Sequence, residues 1–351
     1  MLVRCALMLL VVARALPPCD EDVALDPPCP ERAPAPPAST LRLAINFDAP
    51  MVTEHDGAAF ATFLNALGAT NGRAPVIVYA LVAGLQRAER CLVRRALQAR
   101  LAAPGSRAHV IGVDGVLARF NETYAGLVHV SVATMARLHL PSLLPCVERV
   151  LYLDLDLLVL RPLGPLWALG PSPAPCGLSA RPSINNPSGV GSAYVRDHAR
   201  GPPAFVRDTR ARFARARGFN AGVVLMRLAR LRGGDGAFDR TVRRVAVEYG
   251  NDDQVTLNVF CAGNFTPLAK EWNMFHVAPW GGLAANQSQW RVLHFTGPMK
   301  PWLPDARFPN KQARALWFQY RRTFEEVLVP EVRNASEPKS GPLLAGTDGV
   351  A

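Results

Sequence analysis

Residues 150–160 read Val-Leu-Tyr-Leu-Asp-Leu-Asp-Leu-Leu-Val-Leu, an apolar run broken only by Asp154 and Asp156. A run of this kind is a strand buried on both faces, the condition met inside parallel α/β sheets covered by helices. Side chains at i and i+2 of a strand face the same side, so the two carboxylates stand next to each other. Two like charges at the end of an apolar strand are expensive unless a cation lies between them, and a divalent metal is the usual solution. Oxygen ligands favour Mg²⁺ or Mn²⁺, and the C-terminal edge of a parallel sheet is where α/β proteins bind nucleotides and similar ligands.

The remainder of the chain agrees with a layered α/β domain. Short β-rich runs at 41–47, 76–82 and 109–113 alternate with amphipathic helical stretches around 57–67 and 87–101, which predicts a Rossmann-like, mostly parallel central sheet flanked by helices. Further helices are expected at 132–140, 238–249, 254–260 and 312–328, with strands at 222–226 and 292–295. With 351 residues, 49% of them hydrophobic, the chain can bury one large or two small cores. Its apolar runs stay below the roughly 18 residues that a membrane-spanning helix needs, which excludes a multi-span membrane protein. The net charge of +11 comes almost wholly from arginine and does not by itself indicate a nucleic-acid partner.

Residues 1–15 have a positive start at Arg4, an apolar stretch over 5–13 and the small-residue pattern Ala13-Arg14-Ala15. This reads as a signal peptide, with an uncleaved signal-anchor as the alternative. Residues 16–39 form a Pro-rich stem, 40–330 the folded domain, and 331–351 a flexible tail. Glycosylation sequons at Asn121, Asn264, Asn286 and Asn334, and six cysteines beyond the leader without zinc spacing, point to disulfides and to the lumen of the secretory pathway, Golgi or ER, or to secretion. The disulfide pairing stays open.

The stretch between Arg181 and Gly218, with Pro-Pro, Gly-Val-Gly and five arginines from Arg207 to Arg217, reads as one long irregular segment. It is either a solvated basic insertion or a lid or acceptor-binding loop. A phosphate-binding P-loop, a dinucleotide fingerprint, H-E-x-x-H and G-x-S-x-G are all absent. A nucleotide site in this chain therefore holds its phosphates through a metal and single basic residues.

An ordered set of motifs narrows the reading. Ala136-Arg137-Leu138, Leu151 to Asp156 followed by Arg161-Pro162-Leu163, Phe219-Asn220-Ala221-Gly222-Val223, Asp253-Gln254, Glu271-Trp272-Asn273 and His294-Phe295-Thr296-Gly297-Pro298-Met299-Lys300-Pro301-Trp302 together resemble glycosyltransferase family 8. The resemblance spans about residues 41–320. It implies a retaining enzyme of the GT-A fold that uses a nucleotide sugar, usually a UDP-sugar, with Mn²⁺. Asp154, Asp156 and His294 would then be the metal ligands, and one imidazole among oxygens suits Mn²⁺ better than Mg²⁺. Lys300 would stabilise charge on the departing diphosphate. Asp48, Arg137, Asn220 and Gly297 would join Lys300 in holding the nucleotide sugar, and Asp253 and Gln254 would lie near the anomeric carbon. Trp272 and Trp302 read as packing residues. One departure from the family pattern is Met51, which stands three residues after Asp48 where many members carry an aromatic beside the base.

The expected activity is transfer of a hexosyl or pentosyl group from a UDP-sugar to a hydroxyl of a glycan or glycoprotein acceptor, with no nucleic acid involved and no spanning segment unless the N-terminus is an uncleaved anchor. A same-face route is favoured over double displacement, for which Asp253 is the nearby carboxylate. The alternatives are a catalytically silent protein of the same fold that binds glycans or nucleotide sugars, and a metal-dependent phosphohydrolase.

Overall fold

The structure, a computed structural model, describes residues 39–101, 103–120, 131–182, 193–275, 289–297, 300–303 and 311–322. The leader, nearly all of the stem, the tail, Cys19, Cys29 and the sequons at Asn121, Asn286 and Asn334 lie outside these residues. Among the described residues, no helix is long and apolar enough to cross a membrane.

Among the described residues, ten strands build two sheets. Strands β1 (Leu41–Asp48), β2 (Val76–Ala83), β3 (Arg107–Gly112), β4 (Val150–Leu153), β6 (Leu178–Pro182), β7 (Phe219–Met226) and β8 (Thr266–Pro267) form a seven-stranded sheet in the order β3-β2-β1-β4-β7-β6-β8. It is mixed but mostly parallel, because only β7 runs against its two neighbours. Strands β5 (Leu157–Val159), β9 (Met274–Phe275) and β10 (Val292–His294) form a small second sheet in the order β5-β10-β9.

The large sheet is covered on both sides, which explains its apolar strands. Leu41, Leu43, Ile45 and Phe47 of β1 pack with Phe60, Phe63, Leu64 and Leu67 of helix α1 (Ala58–Asn71) and with Leu92, Val93, Ala96 and Leu97 of helix α2 (Arg87–Arg100). Ala44, one register position away, belongs to a second cluster with Ile77, Tyr79, Tyr152, Val224, Met135 and Leu138. The period-two alternation of a strand thus divides the core into two layers.

Three sequence expectations change. First, the run 150–160 is two strands and not one. The backbone N–H of Asp154 donates to the Gly222 carbonyl at 2.9 Å in the large sheet, whereas that of Phe295 donates to the Asp156 carbonyl at 2.8 Å in the small one. Asp154, Leu155 and Asp156 are the crossing between sheets, so the carboxylates converge through a turn and not through strand pleating. Second, the segment between Arg181 and Gly218 holds helices α3 (Ala193–His198) and α4 (Pro203–Phe213). Its Pro202-Pro203 pair starts α4, since a proline in the first helical turn forfeits no hydrogen bond. Third, the helix expected over 132–140 is a 3₁₀ segment, Val132–His139, and the one over 238–249 is α-helical at Ala237–Thr241 and a π-helix at Val242–Glu248.

Helix α5 (Asp253–Cys261) begins one residue before the predicted start, and helix α6 (Lys311–Tyr320) packs against α1. Cys261 at the end of α5 is bonded to Cys176 before β6, with Cα atoms 5.1 Å apart. Cys91 and Cys146 are also disulfide-bonded.

Candidate functional site

The site forms where the large sheet hands the chain to the small one. Asp154 and Asp156 come from the crossing, and His294 comes from the end of β10, which pairs directly with β5. One donor atom from each of the three lies within 4.8 Å of the other two. His294 Nε2 is 3.1 Å from Asp156 Oδ1 and 3.8 Å from Asp154 Oδ2. Two carboxylates and an imidazole facing one point form a donor set that fits a divalent cation such as Mn²⁺ or Mg²⁺.

Each ligand is held from behind. His294 Nδ1 is 2.8 Å from Asn273 Oδ1, so the ring turns its other nitrogen to the carboxylates. Lys300 Nζ donates to Asp156 Oδ2 at 2.5 Å and to the Phe295 carbonyl at 2.8 Å. Burial by itself would raise the Asp156 carboxyl, but Lys300 and His294 outweigh it and hold the group well below the usual carboxylate range. Asp154 Oδ1 accepts from Arg137 Nη2 at 2.6 Å and from the Tyr152 hydroxyl at 2.8 Å.

Arg137 is 2% exposed and links Asp154 of the three-residue donor set to Asp253 at the start of α5. Its Nη1 donates to the Ala221 carbonyl at 2.6 Å, its Nε is 3.1 Å from Asp253 Oδ2, and its guanidinium lies 4.1 Å from the centre of the Tyr152 ring. Burial disfavours its charge, yet Asp154 and Asp253 more than offset this and raise its pKa. Asp253 itself is pushed up to about 7 by burial, against the pull of Arg137 and with Asp252 and Asp154 adding to the rise. The cap of α5 is Asp252, whose Oδ1 accepts from Val255 N at 2.6 Å, so Asp253 is the first helical residue and its carboxylate is free of capping.

Gln254 and Asn220, each expected beside the sugar, hydrogen-bond to one another. Gln254 Oε1 accepts from Asn220 Nδ2 at 3.1 Å and from Ala221 N at 3.0 Å. Asp48 ends β1 and accepts from the Ser131 hydroxyl, on the same edge of the sheet. Met51 is half-buried and packs against the core cluster under α1 and α2. Gly297 has φ +82°, a backbone state that favours glycine, and a Cβ there would meet nothing within 4 Å. Trp272 is buried in the core, and Trp302 packs on Trp317 of α6. Helices α3 and α4 sit beside the first turn of α5: Val195, Ala199 and Phe213 cluster with Val255, and the Tyr194 hydroxyl donates to Asp252 Oδ2 at 2.5 Å. Arg207, Arg210 and Arg212 of α4 are exposed.

Asn46, Ser131, Tyr152 and Asn273 were not singled out by sequence reasoning for roles here. For Asn273 the signal existed, as the last letter of the Glu271-Trp272-Asn273 motif. Gly222 likewise stood in a motif read as a sugar approach, but what it admits is the imidazole: a Cβ there would fall 2.1 Å from His294 Cε1 and 2.8 Å from Asp154 Oδ2.

Residues 117–306, more than half of the chain, match the family described as Glycosyl transferase family 8. The chain belongs to glycosyltransferase family 8. No curated protein sequence matches it. Among solved structures, the galactosyltransferase LgtC in complex with donor and acceptor sugar analogs shares 21% identity and a TM-score of 0.57, over 84% of this chain and 99% of that one. GlyE of Streptococcus pneumoniae TIGR4 shares 18% identity and a TM-score of 0.55, over 84% of this chain and 64% of its own. The bifunctional glycosyltransferase WbbM shares 17% identity and a TM-score of 0.58, over 84% of this chain and 52% of its own. At these identities the likeness is one of fold, and the fold of this family 8 glycosyltransferase is of the GT-A type.

Proposed function

We propose that this glycosyltransferase moves a hexosyl or pentosyl group from a UDP-sugar to a hydroxyl of a glycan or glycoprotein, with retention of anomeric configuration and with Mn²⁺ held by Asp154, Asp156 and His294. The observation that carries this reading is the convergence of those three donor atoms within 4.8 Å beside the Lys300 ammonium. The complex of LgtC with donor and acceptor sugar analogs supports a two-substrate transfer on this fold.

A bound metal supplies positive charge to the diphosphate of the nucleotide sugar. Lys300 brings a second positive charge to the same place, where an ammonium acts as a point charge on the leaving group. Arg137 neutralises Asp154 and Asp253 and lets both remain in a buried site. Gln254 has committed its oxygen to two donors, which leaves its Nε2 to donate to sugar hydroxyls. With Asp253 paired to Arg137 and the Gln254 oxygen occupied, neither presents an unengaged nucleophile. That supports the same-face route, in which the leaving phosphate oxygen helps deprotonate the acceptor, over a covalent intermediate. The Cys176–Cys261 disulfide supports a lumenal setting in the secretory pathway.

The test is nucleotide release by the full chain across a panel of UDP-, GDP- and CMP-sugars, with Mn²⁺ or EDTA and with Asp156→Ala as control. Release of UDP from one donor, lost in EDTA and in the variant, is expected. Absence of both release and Mn²⁺-dependent UDP binding would replace the transferase reading by that of a silent binding protein.

A further inference from the structure

We propose that the backbone amides of Ala221 and Gly222 dictate which ring nitrogen of His294 faces the metal site, acting through the side chains of Gln254, Asn220 and Asn273, and that Asn273 is the positioning residue that transmits the choice. The inference rests on the metal reading above and extends it to a hydrogen-bonded relay running from the sugar side of the pocket to the metal ligand.

Two groups have a direction that is not adjustable, since a backbone N–H only donates. Gly222 N lies 2.9 Å from the Asn220 side chain, so the atom it meets is the oxygen, Oδ1. Ala221 N lies 3.0 Å from the Gln254 side chain, so that atom is likewise an oxygen, Oε1. These two assignments agree with each other, because Asn220 then turns Nδ2 toward Gln254 Oε1 at 3.1 Å, donor to acceptor. The next member has no freedom left. Asn273 meets Asn220 Oδ1 at 3.0 Å, and only its amide nitrogen makes a hydrogen bond there. Its oxygen therefore faces His294 Nδ1 at 2.8 Å and requires a proton on that nitrogen. What remains for the two aspartates is Nε2, the nitrogen that ligates when its partner carries the proton.

The opposite state is blocked at each joint. Turning Asn273 over would set oxygen against oxygen at Asn220 and an NH₂ against Nδ1, with the proton moved to Nε2, where it would exclude a metal. Asn273 is fully buried, so no water can repair such a mismatch. Its backbone is pinned as well: the carbonyl accepts from Arg181 Nη1 and the N–H donates to the Lys270 carbonyl at 3.2 Å. Gly222 contributes twice, with the N–H that starts the relay and with the missing Cβ that admits the ring. The relay further predicts that the metal ligand is preset before any metal arrives.

The experiment labels the histidines of the full chain with ¹⁵N and reads ring protonation by long-range ¹⁵N–¹H correlation at pH 8 to 9, metal-free and with diamagnetic Mg²⁺, the His294 signals being assigned by their loss in His294→Asn. The expected result is a protonated Nδ1 in both states, with Nε2 as the nitrogen that shifts on addition of Mg²⁺. In parallel, Asn273→Leu should weaken Mn²⁺ binding by about 10- to 100-fold, the range for loss of a partner behind a metal-bound histidine. Asn273→Asp, which keeps an oxygen facing Nδ1 but sets its second oxygen against Asn220 Oδ1, should fall between the parent and Asn273→Leu. A bare Nδ1 in the parent, or parental Mn²⁺ affinity in a folded Asn273→Leu, overturns the relay. Should Asn273→Leu not fold, the parent spectrum decides alone. A parent that binds no metal overturns the metal reading, while the protonation of Nδ1 still decides the relay.

Discussion

A Cβ placed on Gly222 would stand 2.1 Å from Cε1 of the His294 ring, inside any contact distance, so the imidazole proposed to ligate the metal occupies space that only glycine leaves open. Gly222→Ala should displace the ring. The expected outcome is a loss of Mn²⁺ affinity of at least 100-fold with the fold retained, read by titration calorimetry beside circular dichroism. Parental affinity in this variant would show that the ring position is not needed for metal binding.

Among the described residues, Arg137 is the one guanidinium paired with both Asp154 and Asp253. Arg137→Met removes it and leaves the buried Asp253 and the half-buried Asp154 without their cation, a change that costs about 3–5 kcal/mol at a buried pair. Urea unfolding should show a loss of that order. The Asp253→Asn change should cost markedly less in the Arg137→Met background than in the parent, because partners in one network are not additive. Strict additivity would mean that the pair is not coupled.

Asp253 carries a pH signature. Its folded pKa is raised to about 7 by burial, against an ordinary value of about 4 in the unfolded chain. Between those values the folded state binds more protons, so stability declines as pH rises from about 4 toward 7 and levels off above. Urea midpoints measured at pH 5 and pH 8 should therefore shift in favour of Asp253→Asn relative to the parent at the higher pH. An unchanged difference between the two proteins across that window contradicts the raised value.

The Cys176–Cys261 bond closes 85 positions of chain and ties the end of α5 to the start of β6. In the chain-entropy account, a loop of that size contributes on the order of 4 kcal/mol through the unfolded state. The double variant Cys176→Ser, Cys261→Ser should lower the thermal midpoint of the full chain and leave UDP release at permissive temperature largely intact, since neither cysteine touches the pocket.

How much could be read in advance differs by element. Strands β1 and β2 and helix α2 were legible to within a residue, because their periodicity is local and each faces a covered layer. The run 150–160 was misread as one strand because nothing in its apolar pattern reveals that its halves pair with different sheets. The arginine-bearing stretch looked irregular because its prolines, which start α4, resemble breakers when seen without the helix that follows. Asp154, Asp156 and His294 were legible, from residue type and motif order, as a donor set that could hold a metal. Asn273 and Gly222 were visible only as letters of motifs, since their tasks are set by neighbours far along the chain.

The sequence by itself determined that this chain is an α/β glycosyltransferase of family 8, because layer periodicity and ordered motifs are properties of the chain. Only the tertiary structure decided that the aspartates sit at a crossing between two sheets, that Arg137 is spent on two carboxylates, and that Asn273 turns the His294 ring. The physical reason is that these are hydrogen bonds and close approaches between residues 17 to 139 positions apart, from Arg137 with Asp154 to Phe295 with Asp156. Their distances exist only once both sheets are packed.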